Sequence, residues 1–213
     1  MRERILYLAS SNPGKLREFR DDDAVRAVKV EALPGFAELT ACIEDGLTFE
    51  ENARKKAVYY SRNSSGWVFA DDSGICVDAL NGAPGIYSAR YAGPEASDDE
   101  NNKKLLAEVH RREAQRNIKA APASGSSGQS DRAAHYVCAI ALAEAGHVLT
   151  VVEGRADGVI INEPKGKNGF GYDPYFYYPP LSKTFAEILP EEKFAVSHRG
   201  EAFRKLLDYL RRG

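Results

Sequence analysis

The chain has 213 residues, the size of one ordinary domain or of one domain with two lobes around a cleft. Apolar residues make up 43% and charged residues 28%, which excludes a disordered tail and a membrane-spanning protein. With 29 Lys and Arg against 31 Asp and Glu, the formal net charge of -2 gives no bulk attraction to nucleic acid or to an anionic membrane, so any polyanion must be gripped locally.

The apolar run from Ile5 to Ala9 is too short for a signal peptide's apolar region or a spanning helix, which predicts a cytoplasmic protein, and it reads as a buried strand. Ser10-Ser11-Asn12-Pro13-Gly14 then supplies a turn, an N-cap and a proline suited to a first helical turn, with the helix opening over Lys15 to Arg20. Thr48-Phe49-Glu50-Glu51 has capping-box spacing, and Ala53, Ala57 and Tyr60 follow at helical intervals, predicting a helix from about Phe49 to Ser61. Trp67 to Ala70 predicts a short strand that stops at Asp71-Asp72-Ser73-Gly74 and resumes at Ile75 to Val77, leaving two carboxylates at a strand's end.

A second capping box, Ser97-Asp98-Asp99-Glu100, leads into a helix through Leu105, Leu106 and Val109 that fades near Arg112. Residues 112–131 include the small, polar run APASGSSGQS and predict a flexible surface loop. Tyr136 to Ala143 and His147 to Val152, joined by Glu144-Ala145-Gly146, predict a hairpin, with a further strand at Gly158 to Ile161. The last helix, after Ser197, carries Ala202, Phe203, Leu206, Leu207 and Leu210 on one face, with Arg199, Arg204, Lys205, Arg211 and Arg212 elsewhere. Interleaved helices and strands with a hairpin predict an α/β fold built on a mixed, twisted sheet with flanking helices. Cys42, Cys76 and Cys138 are far apart and form no CxxC pair, so reduced thiols are expected rather than a disulfide framework or a zinc site.

Four places carry potential chemistry. The strand, small-residue loop and helix start over Ser10 to Lys15 can aim backbone N–H groups and an ammonium at one anion, or can be no more than a capped turn; it is not a Walker A loop. Asp71-Asp72 are like charges side by side that a cation or a shared proton would relieve, and Glu44, in the acidic loop before the second helix, can add a third carboxylate. Carboxylates without converging histidines or thiols suit a hard ion such as magnesium. Gly169-Phe170-Gly171-Tyr172-Asp173-Pro174 lets backbone approach a ligand and offers Phe170 or Tyr172 for stacking on a base, or is a glycine turn entering the aromatic strand Tyr175 to Tyr178. Lys193 and Ser197-His198-Arg199-Gly200 bracket the start of the last helix, where a cation gains nothing from the macrodipole unless an anionic or oxygen-rich ligand is present.

Together these segments resemble the inosine triphosphate pyrophosphatase family over nearly the whole chain. The resemblance rests on SSNPGK (Ser10 to Lys15), EDGLTFEENARKKA (Glu44 to Ala57), ADDSG (Ala70 to Gly74), GAPGIYSARYAG (Gly82 to Gly93), GFGYDP (Gly169 to Pro174) and SHRG (Ser197 to Gly200). It implies one two-lobed domain over residues 1–213 around a nucleotide-binding cleft, a homodimer, and hydrolysis of ITP, dITP and XTP to the monophosphate and pyrophosphate with Mg2+. By the same resemblance Ser10, Ser11, Asn12, Pro13, Gly14 and Lys15 hold the triphosphate, and Ser73 contacts substrate. Glu44 and Asp72 bind the metal, Asp72 is also the general base with Asp71 beside it, and Phe170, Gly171, Tyr172, Asp173, Lys193, His198 and Arg199 hold and read the nucleotide. The longer loop at 112–131 and Asp45, where threonine is common, depart from the family pattern. A Maf-type pyrophosphatase acting on pyrimidine nucleotides is the nearest alternative enzyme, and SHRG and FGYDP argue against it.

Overall fold

The structure is a computed structural model and describes residues 4–20, 28–119 and 132–212. Seven strands form one sheet in the order β2-β1-β3-β4-β5-β6-β7. Their ranges are β1 Arg4–Leu8, β2 Val28–Ala32, β3 Trp67–Val77, β4 Ala133–Glu144, β5 His147–Ile160, β6 Phe176–Tyr178 and β7 Lys183–Thr184. The helices are α1 Pro13–Arg20, α2 Phe49–Ser61, α3 Asp98–Lys119, α4 Pro190–Val196 and α5 His198–Arg212. β1 runs parallel to both β2 and β3, whereas β6 is antiparallel to β5 and β7. The mixed sheet with flanking helices expected from the sequence is what the chain forms. Among the described residues no helix is long and apolar enough to cross a membrane.

The chain divides into two compact units. The first comprises Met1–Ser73, Val137–Ala156 and Pro190–Gly213. Strand alternation gives its part of the sheet two apolar faces. One buries Leu6, Leu8, Phe69, Cys138, Ile140 and Leu142 with Phe19 of α1, Phe194 of α4 and Ala202, Phe203, Leu206, Leu207 and Leu210 of α5. The other buries Ala9, Val68, Ala70, Ala139, Ala141 and Ala143 with Ala53, Ala57 and Tyr60 of α2. Small alanines on this second face let α2 lie close to the sheet, and Thr48 caps that helix by accepting the Glu51 N–H at 3.1 Å. The second unit comprises Gly74–Tyr136 and Asp157–Leu189. Its rings cluster as Tyr136, Phe176, Tyr178 and Phe185, with centroid separations of 4.7 Å for Tyr136–Phe176 and 4.8 Å for Phe176–Phe185.

Three sequence expectations are corrected. β3 is continuous from Trp67 to Val77, so Asp71 and Asp72 lie inside a strand rather than at its end. The pairing of β1 with β3 nevertheless stops at Leu8 opposite Phe69, so both aspartates lie beyond the end of the neighbouring parallel strand. β5 is likewise one strand through Ile160; its glycines are places of close approach, since a Cβ at Gly154 would sit 2.1 Å from the His198 carbonyl oxygen. Finally, α3 continues past Arg112 to Lys119, so 112–119 is helical and not loop. The remainder of the expected loop, 120–131, lies outside the described residues.

Candidate functional site

The first unit brings together most of the residues singled out in the sequence. Asp71 Oδ2 is 2.9 Å from Lys15 Nζ and 3.4 Å from Arg199 Nε. The same guanidinium donates from Nη2 to Ser73 Oγ at 2.8 Å and from Nη1 to Glu18 Oε2. Glu18 also takes Lys193 Nζ at 2.8 Å. Three cations, Lys15, Lys193 and Arg199, thus share two carboxylates, Glu18 and Asp71, leaving one positive charge in excess. All but Lys15 are almost wholly buried, so that excess is poorly screened by water.

These charges set one another's ionisation. Burial alone would raise the Asp71 carboxyl, but Lys15, Arg199 and Lys56 outweigh it and hold it well below the usual carboxylate range. Glu18 is lowered in the same way, burial being overcome by Arg199 and Lys193. His198 is 3% exposed, and burial, reinforced by Arg199 and Lys193, pushes it well below its ordinary value, so its imidazole is neutral at pH 7.

On the other face of β3 the sign reverses. Lys56 Nζ of α2 lies 2.8 Å from Glu44 Oε2 and 3.5 Å from Asp72 Oδ1, so two carboxylates converge on one cationic point with a negative charge in excess. Burial raises the Asp72 carboxyl and Glu44 adds to that, against the opposing pull of Lys56 and Asn52. Every donor here is oxygen, and two carboxylates already gathered around a cation are what a hard divalent ion needs. Among the described residues no group of three or more His, Cys, Asp or Glu forms a metal cage; a divalent ion held by Glu44 and Asp72 would take its other ligands from water and phosphate, as magnesium ordinarily does.

The loop before α1 is a capped turn. Asn12 Oδ1 accepts the Gly14 and Lys15 N–H groups at 2.8 and 3.3 Å, and Ser10 Oγ accepts the Asn12 N–H at 3.2 Å. The Gly14 and Lys15 amides are therefore held by Asn12 and the Asn12 amide by Ser10, while the Lys15 ammonium of this segment reaches Asp71. Lys193 stands in the last turn of α4, where the macrodipole favours a cation, while His198 and Arg199 open α5.

Phe170, Gly171, Tyr172 and Asp173 belong to the second unit. Gly169 and Gly171 both take positive φ, 74° and 62°, the left-handed backbone that glycine permits. Asp173 is buried and organises the turn, accepting the Phe170 N–H at 2.9 Å and the Tyr136 hydroxyl at 3.4 Å. Tyr172 is also buried and donates to the Ser88 carbonyl at 2.8 Å. Phe170 is half-buried.

Glu18, Lys56 and Asn52 belong to this constellation and were not singled out in the sequence. Each had a signal: Glu18 follows Lys15 by three residues on one helix, and Asn52 and Lys56 stand four apart inside the Glu44 to Ala57 motif, on one face of α2.

The model of the Ham1 family matches residues 6–209. The chain is 46% identical to the dITP/XTP pyrophosphatase of Gloeobacter violaceus, covering 99% of this chain and 96% of that one. It is also 46% identical to the dITP/XTP pyrophosphatase of Acidobacterium capsulatum, over 96% and 97% of the two chains. Among solved structures, a HAM1 protein from Coxiella burnetii superposes with a TM-score of 0.81 at 37% identity, covering 99% of this chain and all of that one. The resemblance read from the motifs is borne out, and the chain belongs to the Ham1 family.

Proposed function

We propose that this protein hydrolyses non-canonical purine nucleoside triphosphates, dITP, XTP and ITP, to the monophosphate and pyrophosphate. The observation that carries the reading is the reversal of charge across β3. A buried cation excess around Asp71 stands on one face and an acid excess around Asp72 on the other, as a substrate with an anionic triphosphate and a cation to neutralise it would require. The two relatives described above are dITP/XTP pyrophosphatases by name, which supports the reading for dITP and XTP.

In this reading Asp72 orients the attacking water and accepts its proton, a task that rests on where its carboxylate is held. Lys15 stabilises the charge that develops as pyrophosphate leaves. Glu44 and Asp72 are the residues that would hold Mg2+, which when bound supplies charge neutralisation at phosphate oxygens. Ser10, Ser11, Asn12, Pro13 and Gly14 shape the turn that presents Lys15, and Ser73 adds a hydroxyl beside it. Lys193, His198 and Arg199 offer N–H donors that suit the 6-oxo acceptor of hypoxanthine and xanthine and mismatch the 6-amino donor of adenine. Phe170 offers a ring face for stacking, on a turn that Gly171, Tyr172 and Asp173 shape. We further propose a homodimer in the cytoplasm, acting on free nucleotides and not on nucleic acid.

The test is pyrophosphate release from dITP, XTP, ITP, GTP, ATP, UTP and dTTP, with and without magnesium. Turnover of the first three above the rest, dependent on magnesium, supports the reading. Equal rates across purines would refute a base-reading site, and preference for UTP or dTTP would favour a pyrimidine enzyme.

A further inference from the structure

Asn52 has no part in the chemistry described above, yet it joins the two segments that carry the acidic pair. It is 1% exposed. Its Oδ1 accepts the Gly46 N–H at 2.8 Å, and its Nδ2 donates to Asp72 Oδ2 at 3.0 Å. The partners fix which end is which: a backbone N–H only donates, so oxygen faces Gly46, and the nitrogen is left for a carboxylate, which accepts.

The loop side of this clasp is built for close approach. A Cβ at Gly46 would fall 2.6 Å from Asn52 Oδ1 and 2.8 Å from Glu51 Cβ. Glu51 reinforces it by accepting the Leu47 N–H at 2.7 Å through Oε2. The loop bearing Glu44 and the strand bearing Asp72 are therefore both referenced to one turn of α2.

Asp72 Oδ2 is taken by Asn52, while Oδ1 faces Lys56, whose Nζ also holds Glu44. The two oxygens are not equivalent, and only Oδ1 lies toward the point on which the carboxylates converge.

We infer that Asn52 is a positioning residue for Asp72: its carboxamide holds Oδ2, selects Oδ1 as the working oxygen, and fixes that oxygen relative to the Glu44 loop. This inference rests on the reading of Asp72 as the base. Asn52→Leu nearly keeps the volume, adds no charge and removes both hydrogen bonds. Assayed on dITP at saturating magnesium, its kcat falls by roughly 30- to 100-fold, the scale of a sub-ångström to 1 Å misplacement, while KM stays within about threefold.

A rise in KM with kcat intact, or a folded variant with unaltered kcat, overturns the inference. A readout independent of turnover is amide hydrogen exchange of the unaltered, nucleotide-free protein. There the Gly46 N–H exchanges at least about tenfold more slowly than an unprotected amide, and exchange at the unprotected rate overturns the inference even if Asn52→Leu fails to fold. If the unaltered protein releases no pyrophosphate from dITP, the functional reading has failed instead, whatever the variant does.

Discussion

Asp71 and Asp72 are consecutive in sequence yet answer to different helices. Asp71 Oδ2 meets Lys15 of α1 at 2.9 Å and Arg199 of α5 at 3.4 Å, whereas Asp72 Oδ2 meets Asn52 of α2 at 3.0 Å. The two-residue period of a strand separates them, placing Asp71 and Ser73 on the face with Phe69 and Asp72 on the face with Val68 and Ala70. Two adjacent carboxylates thereby enter opposite electrostatic surroundings, and their substitutions have different consequences.

Asp72→Asn removes the proposed base while leaving an oxygen that can accept from Asn52. The expected result is a kcat lowered by about 10²- to 10⁴-fold with a melting temperature close to that of the unaltered protein. Retention of near-normal kcat would remove Asp72 from the mechanism.

Asp71→Ala acts on stability first. It removes the carboxylate that Lys15 and Arg199 share, leaving Glu18 to serve Arg199 and Lys193, and breaking a buried ion pair from one side costs about 3–5 kcal/mol. Urea unfolding measures this directly. A loss under about 1 kcal/mol, the worth of an exposed ion pair, would mean that the network is solvated.

Acid should destabilise the protein in two stages. His198 has a folded-state value below its unfolded one, so the unfolded chain takes up a proton that the folded chain refuses, and stability begins to fall as pH drops through 6.5. Asp71 and Glu18 are also lowered, from 3.8 and 4.5, so their contribution is complete above those values and is lost as pH falls further toward their folded-state values. Asp72 is shifted the other way and partly offsets the second stage. Denaturant unfolding at a series of pH values checks this, and His198→Gln should flatten the first stage alone.

Removing divalent metal with EDTA should abolish turnover, with magnesium restoring it. Glu44→Gln should raise the magnesium concentration for half-maximal rate by roughly 10- to 100-fold, because one of the two converging carboxylates loses its charge. An unchanged magnesium requirement would place the ion elsewhere.

The sequence made the helices with capping boxes legible at their first residues, because Thr48 and Ser97 announce them locally. It also brought forward Lys15, Glu44, Asp72 and Arg199, whose residue types advertise charge chemistry. Continuity was harder to read. Asp71 to Gly74 looks like a turn in one dimension, and partners distant in sequence, Lys15, Arg199, Lys56 and Asn52, make it tolerable for carboxylates to remain in a strand. Gly154 and Gly158 look like strand breakers, although they serve close contact with α5 and with the Phe176 ring respectively. Glu18 and Asn52 carried only a weak local signal, their helical spacing, because an ordinary helical glutamate and asparagine acquire their meaning from residues 175 and 20 positions away.

In the proposed reaction water attacks the α-phosphorus, with Asp72 taking its proton, and pyrophosphate leaves. Turnover of dITP with magnesium in ¹⁸O-enriched water, followed by mass spectrometry of the products, tests it most directly. One labelled oxygen is expected in the deoxyinosine monophosphate and none in the pyrophosphate. Label in the pyrophosphate, or release of orthophosphate with a diphosphate product, would contradict it.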